Sequence, residues 1–403
     1  MPRVIPLQIT LGPQLSEGVY ALAAALRDEE IAAEVEIRKP LLALADRLFE
    51  PEAAPVPIVD PTTLGQTLGR ALFTDELREL MLRGAREAAE VGARLQIRLH
   101  LAAYELAALP WEWLTLGKAH RWAPALHLDY PLVRITRRTR PAPPAPGVPL
   151  RVLAIAARGE GPQLEALEAA LAEELDAGLV ALRLLEDATP SALERALAAG
   201  GFHVLHLAAP VLLTRDERLE VAIGSGVDSS ELADMLLDAE ELRLVSFTGE
   251  HGRRREGRTA RLAVGPGLLG SIVMDAQRPA SIAFAGPLTP EYGAIFSAAC
   301  YAELAQGAPV DLAVTLGRQA LVARAGTTPV PLPQLRMLPG AERLFELRQA
   351  PAGAPAAAAG RRAEGRATRT GRLRGASWER ADDRPQTWGE RLAGLLGRLG
   401  RPR

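Results

Sequence analysis

Between residues 150 and 326 the chain repeats one pattern: a short apolar run, a turn, then a segment with apolar residues three and four positions apart. The runs at 152–157, 181–186, 203–209, 242–249 and 281–286 read as buried strands. Residues 163–177 place Leu164, Leu167, Leu171 and Leu175 on one helical face. Thr189 and Pro190 supply a cap and a proline at the first helical position, and Gly200 closes that helix. Further helices are expected at 230–238, 268–276, 289–306 and 310–325. Such alternation predicts an α/β fold, a parallel sheet covered by helices on both faces.

The N-terminal part patterns differently. Runs at 4–10, 18–26 and 32–38 hold Val, Ile and Tyr between Gly, Pro and polar residues, which predicts a small antiparallel sheet. Residues 19–26 are alanine-rich enough to be helical instead. A helical stretch follows at 64–90. Leu95, Ile97 and Leu99 then alternate like a strand over 93–101, and a Pro-rich connection at 141–146 precedes the regular region. The expected organisation is a β-rich segment at 1–60, a main domain at 61–347, a linker at 348–386 and a short helix at 387–400.

Composition sharpens the last two pieces. The 403 residues carry 47 basic and 49 acidic side chains, a net charge of −2, and only Lys39 and Lys118 among the basic residues are lysines. Near-neutrality excludes a protein that binds nucleic acid over its whole surface. The charge is uneven, however: from Pro351 onward there are 12 arginines and 5 acids, so this tail is +7 and the rest −9. The tail starts as an Ala/Gly/Pro stretch with too little apolar surface to offset its ordering entropy, and is expected to be disordered. Near its end, Thr387 and Glu390 have capping-box spacing, and Trp388, Leu392, Leu395, Leu396 and Leu399 form one apolar stripe. A helix this short needs something to dock on: a partner, a membrane surface or its own domain. No apolar run reaches the roughly 18 residues of a membrane span, and the N-terminus shows no signal-peptide stretch, so a cytoplasmic protein is expected.

Candidate chemistry is sparse. Cys300 is the single cysteine, which excludes an internal disulfide framework and a multi-cysteine zinc site. It falls at helical spacing with Phe296 and Leu304, the setting of a buried small hydrophobe more than of a nucleophile. His203 and His206 sit three apart on one strand, on opposite faces, and cannot share a metal ion. In open parallel sheets, sites form beyond the carboxyl ends of the strands. The loop after Ala209 begins with Pro210. The loop after Gly249 holds Glu250, His251 and the basic run Arg253, Arg254 and Arg255, read as a solvated loop rather than an anion-binding patch. Gly265, Gly267 and Gly270 fit G-x-G-x-x-G, yet the preceding run is short and no acid stands some 20 residues on; a glycine-rich helix start explains it, and no cofactor is expected.

Several motifs in order resemble a known family. Leu109-Pro110-Trp111-Glu112 is similar to the Leu-Pro-Trp-Glu signature of the CHAT domain, a caspase-like domain associated with TPR repeats. Residues 130–134, 202–210, 244–250, 281–287, 295–307 and Arg318–Leu321 resemble its following segments, so the likeness covers roughly 64–347. The resemblance implies a caspase/separase-type cysteine peptidase fold with a His–Cys dyad on two adjacent strand ends. Carried over by position, the dyad falls on Pro210 and Glu250, with His206 matching the family's first histidine; a slip of one residue would put His251 at the nucleophile position. Proline cannot act as a general base, and a carboxylate is a poor nucleophile toward an amide. The expected protein is therefore a degenerate, inactive pseudo-peptidase, a scaffold or regulatory module in a bacterial signalling or defence-type assembly. With no 34-residue repeat visible, its partner, TPR-type or a peptidase or its regulator, would act in trans. Two alternatives stay open: an active peptidase with a relocated nucleophile such as Cys300, and an adaptor that binds acidic partners or nucleic acid through the arginine tail.

Overall fold

A computed structural model describes residues 3–37, 61–107, 109–117, 122–136, 144–146, 149–213, 219–248, 278–284, 288–326 and 330–346, with 41, 270 and 273 between them. Glu250, His251, the arginine run, Gly265 and Gly267, most of the expected helix at 268–276, the linker and the tail helix lie outside the described residues.

In chain order the N-terminal elements are strands β1 (Val4–Ser16), β2 (Val19–Leu26) and β3 (Glu29–Glu36), helices α1 (Pro61–Leu72) and α2 (Asp75–Glu90), β4 (Arg94–Leu101), the short α3 (Tyr104–Ala107) and β5 (Leu132–Ile135). After β6 (Ala145–Pro146) come β7 (Leu150–Ala156), α4 (Gly161–Ala170), α5 (Ala172–Asp176), β8 (Val180–Leu185), α6 (Pro190–Ala198) and β9 (Val204–Ala208). The chain continues through β10 (Val211–Leu213), β11 (Leu219–Val221), β12 (Val227–Asp228), α7 (Ser229–Asp238), β13 (Leu244–Phe247) and β14 (Ala280–Phe284). It closes with α8 (Pro290–Ala305), α9 (Val310–Ala325), β15 (Pro333–Met337) and β16 (Phe345–Glu346).

Eleven of the described strands form one sheet in the order β3-β2-β1-β4-β5-β15-β14-β13-β9-β7-β8, flanked by helices on both faces. It is a mostly parallel α/β sheet, with one feature the pattern did not predict. The strands β1, β4, β5 and β15 run parallel to one another, β14, β13, β9, β7 and β8 run parallel to one another, and the two sets meet antiparallel where β14 pairs with β15. The antiparallel N-terminal strands are joined to the rest through β1 and β4, from Val4 opposite Arg94 to Leu11 opposite Leu101.

One open alternative is decided and two local expectations change. The 19–26 segment is a strand, not a helix: Tyr20, Leu22, Ala24 and Leu26 alternate into the core, and ladders to β1 and β3 on both sides override alanine's helix propensity. The 64–90 stretch is two helices, broken at Phe73-Thr74, where the Thr74 hydroxyl accepts from the Leu77 amide at 3.3 Å. The 163–177 helix is interrupted at Leu171, because Leu164, Leu167 and Leu171 are buried whereas α5 buries no residue.

Among the described residues the core has two large apolar parts, one around α1, α2, Trp111 and β4, the other around β7, β9, β13, β14, α8 and α9, and a small third cluster of Ile295, Ala299 and Ala320. Buried ion pairs fasten the two large parts together. Arg94 of β4 donates to Asp311 of α9 at 2.9 Å, and Gln96 donates to the same carboxylate oxygen at 2.7 Å. Arg98 donates to Glu342 at 2.6 Å. Helix α1 approaches the Trp111–Leu114 turn so closely that a methyl on Gly65 would collide with the Trp113 carbonyl, and one on Gly69 with the Thr115 carbonyl. Gly65→Ala is therefore expected to destabilise the fold by about 1–3 kcal/mol despite alanine's better helix propensity. A lowered urea midpoint checks this; a raised one would show that the turn is free to move away.

Candidate functional site

Strand β9 is wholly buried, and His206 is its central residue. Pairing β9 with β13 sets Phe247 opposite Leu207, and the Thr248 amide donates to the Leu207 carbonyl at 2.9 Å. Both candidate dyad positions thus follow neighbouring parallel strands that end on one edge. At that edge β9 gives way to Ala209 and half-buried Pro210, whose carbonyl accepts from the Ala222 amide at 2.9 Å as the chain turns into the small sheet of β10, β11 and β12. Neither Ala209 nor Pro210 has a side chain that can take or give a proton. Glu250 and His251 lie outside the described residues, so the second half of the site is not placed.

The titratable group of β9 lies below that edge, inside the protein. His206 is 2% exposed, and both ring nitrogens are engaged, Nδ1 with the Tyr301 hydroxyl at 2.9 Å and Nε2 with the Thr248 hydroxyl at 3.0 Å. The Tyr301 ring stands edge-on to the imidazole, 5.9 Å between centroids at 84°. Burial lowers the histidine's pKa to about 4, so it is neutral at physiological pH. Burial likewise pushes the Tyr301 phenol up, opposed by the nearby Ser246 and Ser297 hydroxyls, which stand close without well-aligned hydrogen bonds. His206, Thr248 and Tyr301 form a neutral polar brace between β9, the end of β13 and α8. Held at 2% exposure by bonds to both nitrogens, the imidazole is enclosed away from any substrate at that edge.

The sign of the pH effect follows. An unfolded histidine titrates near 6.5 and this one at about 4, so the unfolded chain binds the extra proton in between. The contribution is fully present above about pH 6.5 and is lost as pH falls toward 4, by about 3 kcal/mol in total. Comparing denaturation midpoints at pH 7 and 4.5, His206→Gln should show a smaller acid loss than the parent chain. Equal losses would contradict the buried neutral state.

Cys300 lies on α8, fully buried, and α8 is buried around its whole circumference from Gly293 to Ala305. Burial is the main cause that pushes its thiol up, reinforced by the charge of Glu303 and opposed by Arg318. His206 meets its chain neighbour Tyr301, so the structure does not pair the cysteine with an imidazole. His203 is separate: its Nδ1 accepts from the Arg151 amide at 3.2 Å, and its ring lies 5.6 Å from Phe345. Among the described residues no group of three His, Cys, Asp or Glu is placed to hold a metal ion. No helix among them is long and apolar enough to cross a membrane.

The motif residues turn out to be structural. Trp111 is fully buried and donates its Nε1–H to the Leu106 carbonyl at 2.8 Å. Glu112 accepts two hydrogen bonds from Arg134, Nε–H to Oε1 at 2.9 Å and Nη2–H to Oε2 at 2.7 Å, while Arg134 also donates to the Ala107 and Leu109 carbonyls. Arg318 donates to the carbonyls of Pro333, Ala125 and Leu132. Tyr301 and Thr248 carry no signal in the sequence: both look like ordinary helix and strand-end residues until the fold brings them to His206.

No family model matches the chain, and no curated protein matches it. Among solved structures it is similar to two of the Saccharomyces cerevisiae separase–securin complex. The 3.0 Å structure aligns with a TM-score of 0.35 and 10% identity, over 66% of this chain and 17% of that one. The 2.6 Å structure aligns with a TM-score of 0.39 and 9% identity, over 83% and 30%. The chain spans less than a third of the length of the separase chains it aligns with.

Proposed function

We propose that this chain is a caspase-like pseudo-peptidase of the CHAT type, a scaffold or regulatory module that binds a protein partner in a bacterial signalling or defence-type assembly. Pro210 carries this proposal: at the strand end where the resemblance puts the general base, the chain has a residue with neither an ionisable side chain nor an amide proton. Two further observations support it. His206, the nearest described imidazole, spends both nitrogens on Thr248 and Tyr301. Cys300 is enclosed in the core, which disfavours the alternative of a relocated nucleophile. The family pattern also places Glu250 where the thiol belongs.

In this account the fold presents a peptidase-shaped edge without chemistry, and it acts by occupying an active peptidase or that peptidase's regulator. Affinity capture with the full chain from a bacterial lysate should recover a partner in stoichiometric amount, and adding the chain in trans should change that partner's peptidase activity or its control. Recovery of nucleic acid alone, lost steeply as salt is raised, would instead favour the arginine-tail adaptor.

A further inference from the structure

A groove of about 470 Å³ runs between the C-terminal half of α2 and the start of α9. Its floor is made of small residues, Ala85, Ala88 and Ala89, and its walls of Leu312, Leu316 and Tyr130. Arg94 at the bottom is neutralised by Asp311, so the floor presents little net charge. Ala89 is exposed, as is Val91 at 51%, one of four large apolar side chains that stand out among the described residues. Val91 also lines a second depression of about 290 Å³, with Val4, Ile5 and Pro6 of β1 and with Arg3 and Arg27. A run of alanines between leucine walls lets a helix backbone come close, which is the geometry of helix-in-groove recognition.

We propose that the segment Thr387–Leu399 of this same chain docks as an amphipathic helix in this groove. Three observations select it over other occupants. The segment has the matching unpaired surface, with Trp388, Leu392, Leu395, Leu396 and Leu399 on one stripe and Arg391 and Arg398 flanking it. The charges are complementary: Arg391 and Arg398 against Glu390 leave the segment +1, the tail as a whole is +7 against −9 for the rest, and Asp129, its side chain 71% exposed, lines the groove, with Glu90 at the end of α2. The chain is also long enough. Some 40 residues separate Glu346 from Thr387, and a linker of that composition has a root-mean-square reach of about 35 Å, comparable to the size of the domain. Tethering at this length supplies an effective concentration on the order of a millimolar, so an intrinsically weak helix is held in place without a second molecule.

Hydrogen exchange on the full chain tests this. In the parent chain the amides of residues 84–93 and 310–316 should exchange about ten- to a hundredfold more slowly than in a Leu392→Asp/Leu396→Asp variant, with the rest of the core unchanged. A synthetic peptide of residues 385–403 should restore the protection in that variant. Ala89→Arg, which fills the groove from an exposed position, should lose the protection even with the tail intact and should not regain it with the peptide. The proposal is overturned if the tail variant leaves groove exchange unchanged, if the peptide protects Ala89→Arg equally well, or if protection rises with protein concentration, which would put a second copy in the groove.

Discussion

Glu112→Ala is expected to lower the stability of the fold by about 3–5 kcal/mol, the usual cost of removing one partner of a buried ion pair. Glu112 and Arg134 are 2% and 1% exposed, and their two parallel hydrogen bonds lie where no water can replace them. The loss extends past one pair. Burial lowers the pKa of Arg318 and of Arg336 to about 10, and for both Glu112 is the largest attraction that opposes the lowering while Arg134 adds to it. Without Glu112, Arg134 loses its ion-pair partner, and Arg318 and Arg336 lose the carboxylate that offsets their burial. The geometric consequence matters too, since Arg134 also ties down the Ala107 and Leu109 carbonyls next to Trp111. A double change that removes both charges, Glu112→Leu with Arg134→Met, should recover part of the loss, because desolvated charge is then absent rather than unpaired. Denaturant midpoints of the three variants decide this, and a loss under about 1 kcal/mol for Glu112→Ala would mean that the signature has another role.

The second large effect concerns Cys300. Its thiol is enclosed on α8 and pushed up by burial, so a small alkylating reagent should reach it only when the chain opens. Native-state labelling is expected to be slower than labelling of the denatured chain by about 10³–10⁶, the inverse of ordinary unfolded populations. Cys300→Ala should abolish labelling and leave folding intact, apart from a modest packing loss. Rapid labelling of the folded protein would reopen the relocated-nucleophile alternative.

How much of this was legible beforehand depends on where the information lay. Helices α8 and α9 were plain, because continuous apolar runs with a Thr289 cap, a Pro290 start and a Gly326 stop carry their own punctuation. The parallel strands β7, β9, β13 and β14 were legible for the same reason. Strand β15 was not: Pro333, Gln334 and Arg336 break the apolar pattern, and β5, its neighbour, is only four residues long. With β15 unseen, the antiparallel seam and the continuity of the whole sheet were unseen as well. In the site, the weakness of Pro210 as a catalytic position could be read from residue type alone. The fate of His206 could not, because Tyr301 is 95 residues away and Thr248 is 42, and periodicity says nothing about which distant hydroxyls a buried imidazole will meet. Glu112, Arg134 and Arg318 stood out as motif letters, but only the fold shows that they are buried scaffolding.

If this fold does not cut, as proposed, purified full chain incubated with a diverse library of fluorogenic peptides will show it most directly. Hydrolysis is expected no faster than in chain-free controls, with no change on Cys300→Ala or Glu250→Ala. Cleavage that either substitution abolishes would contradict it.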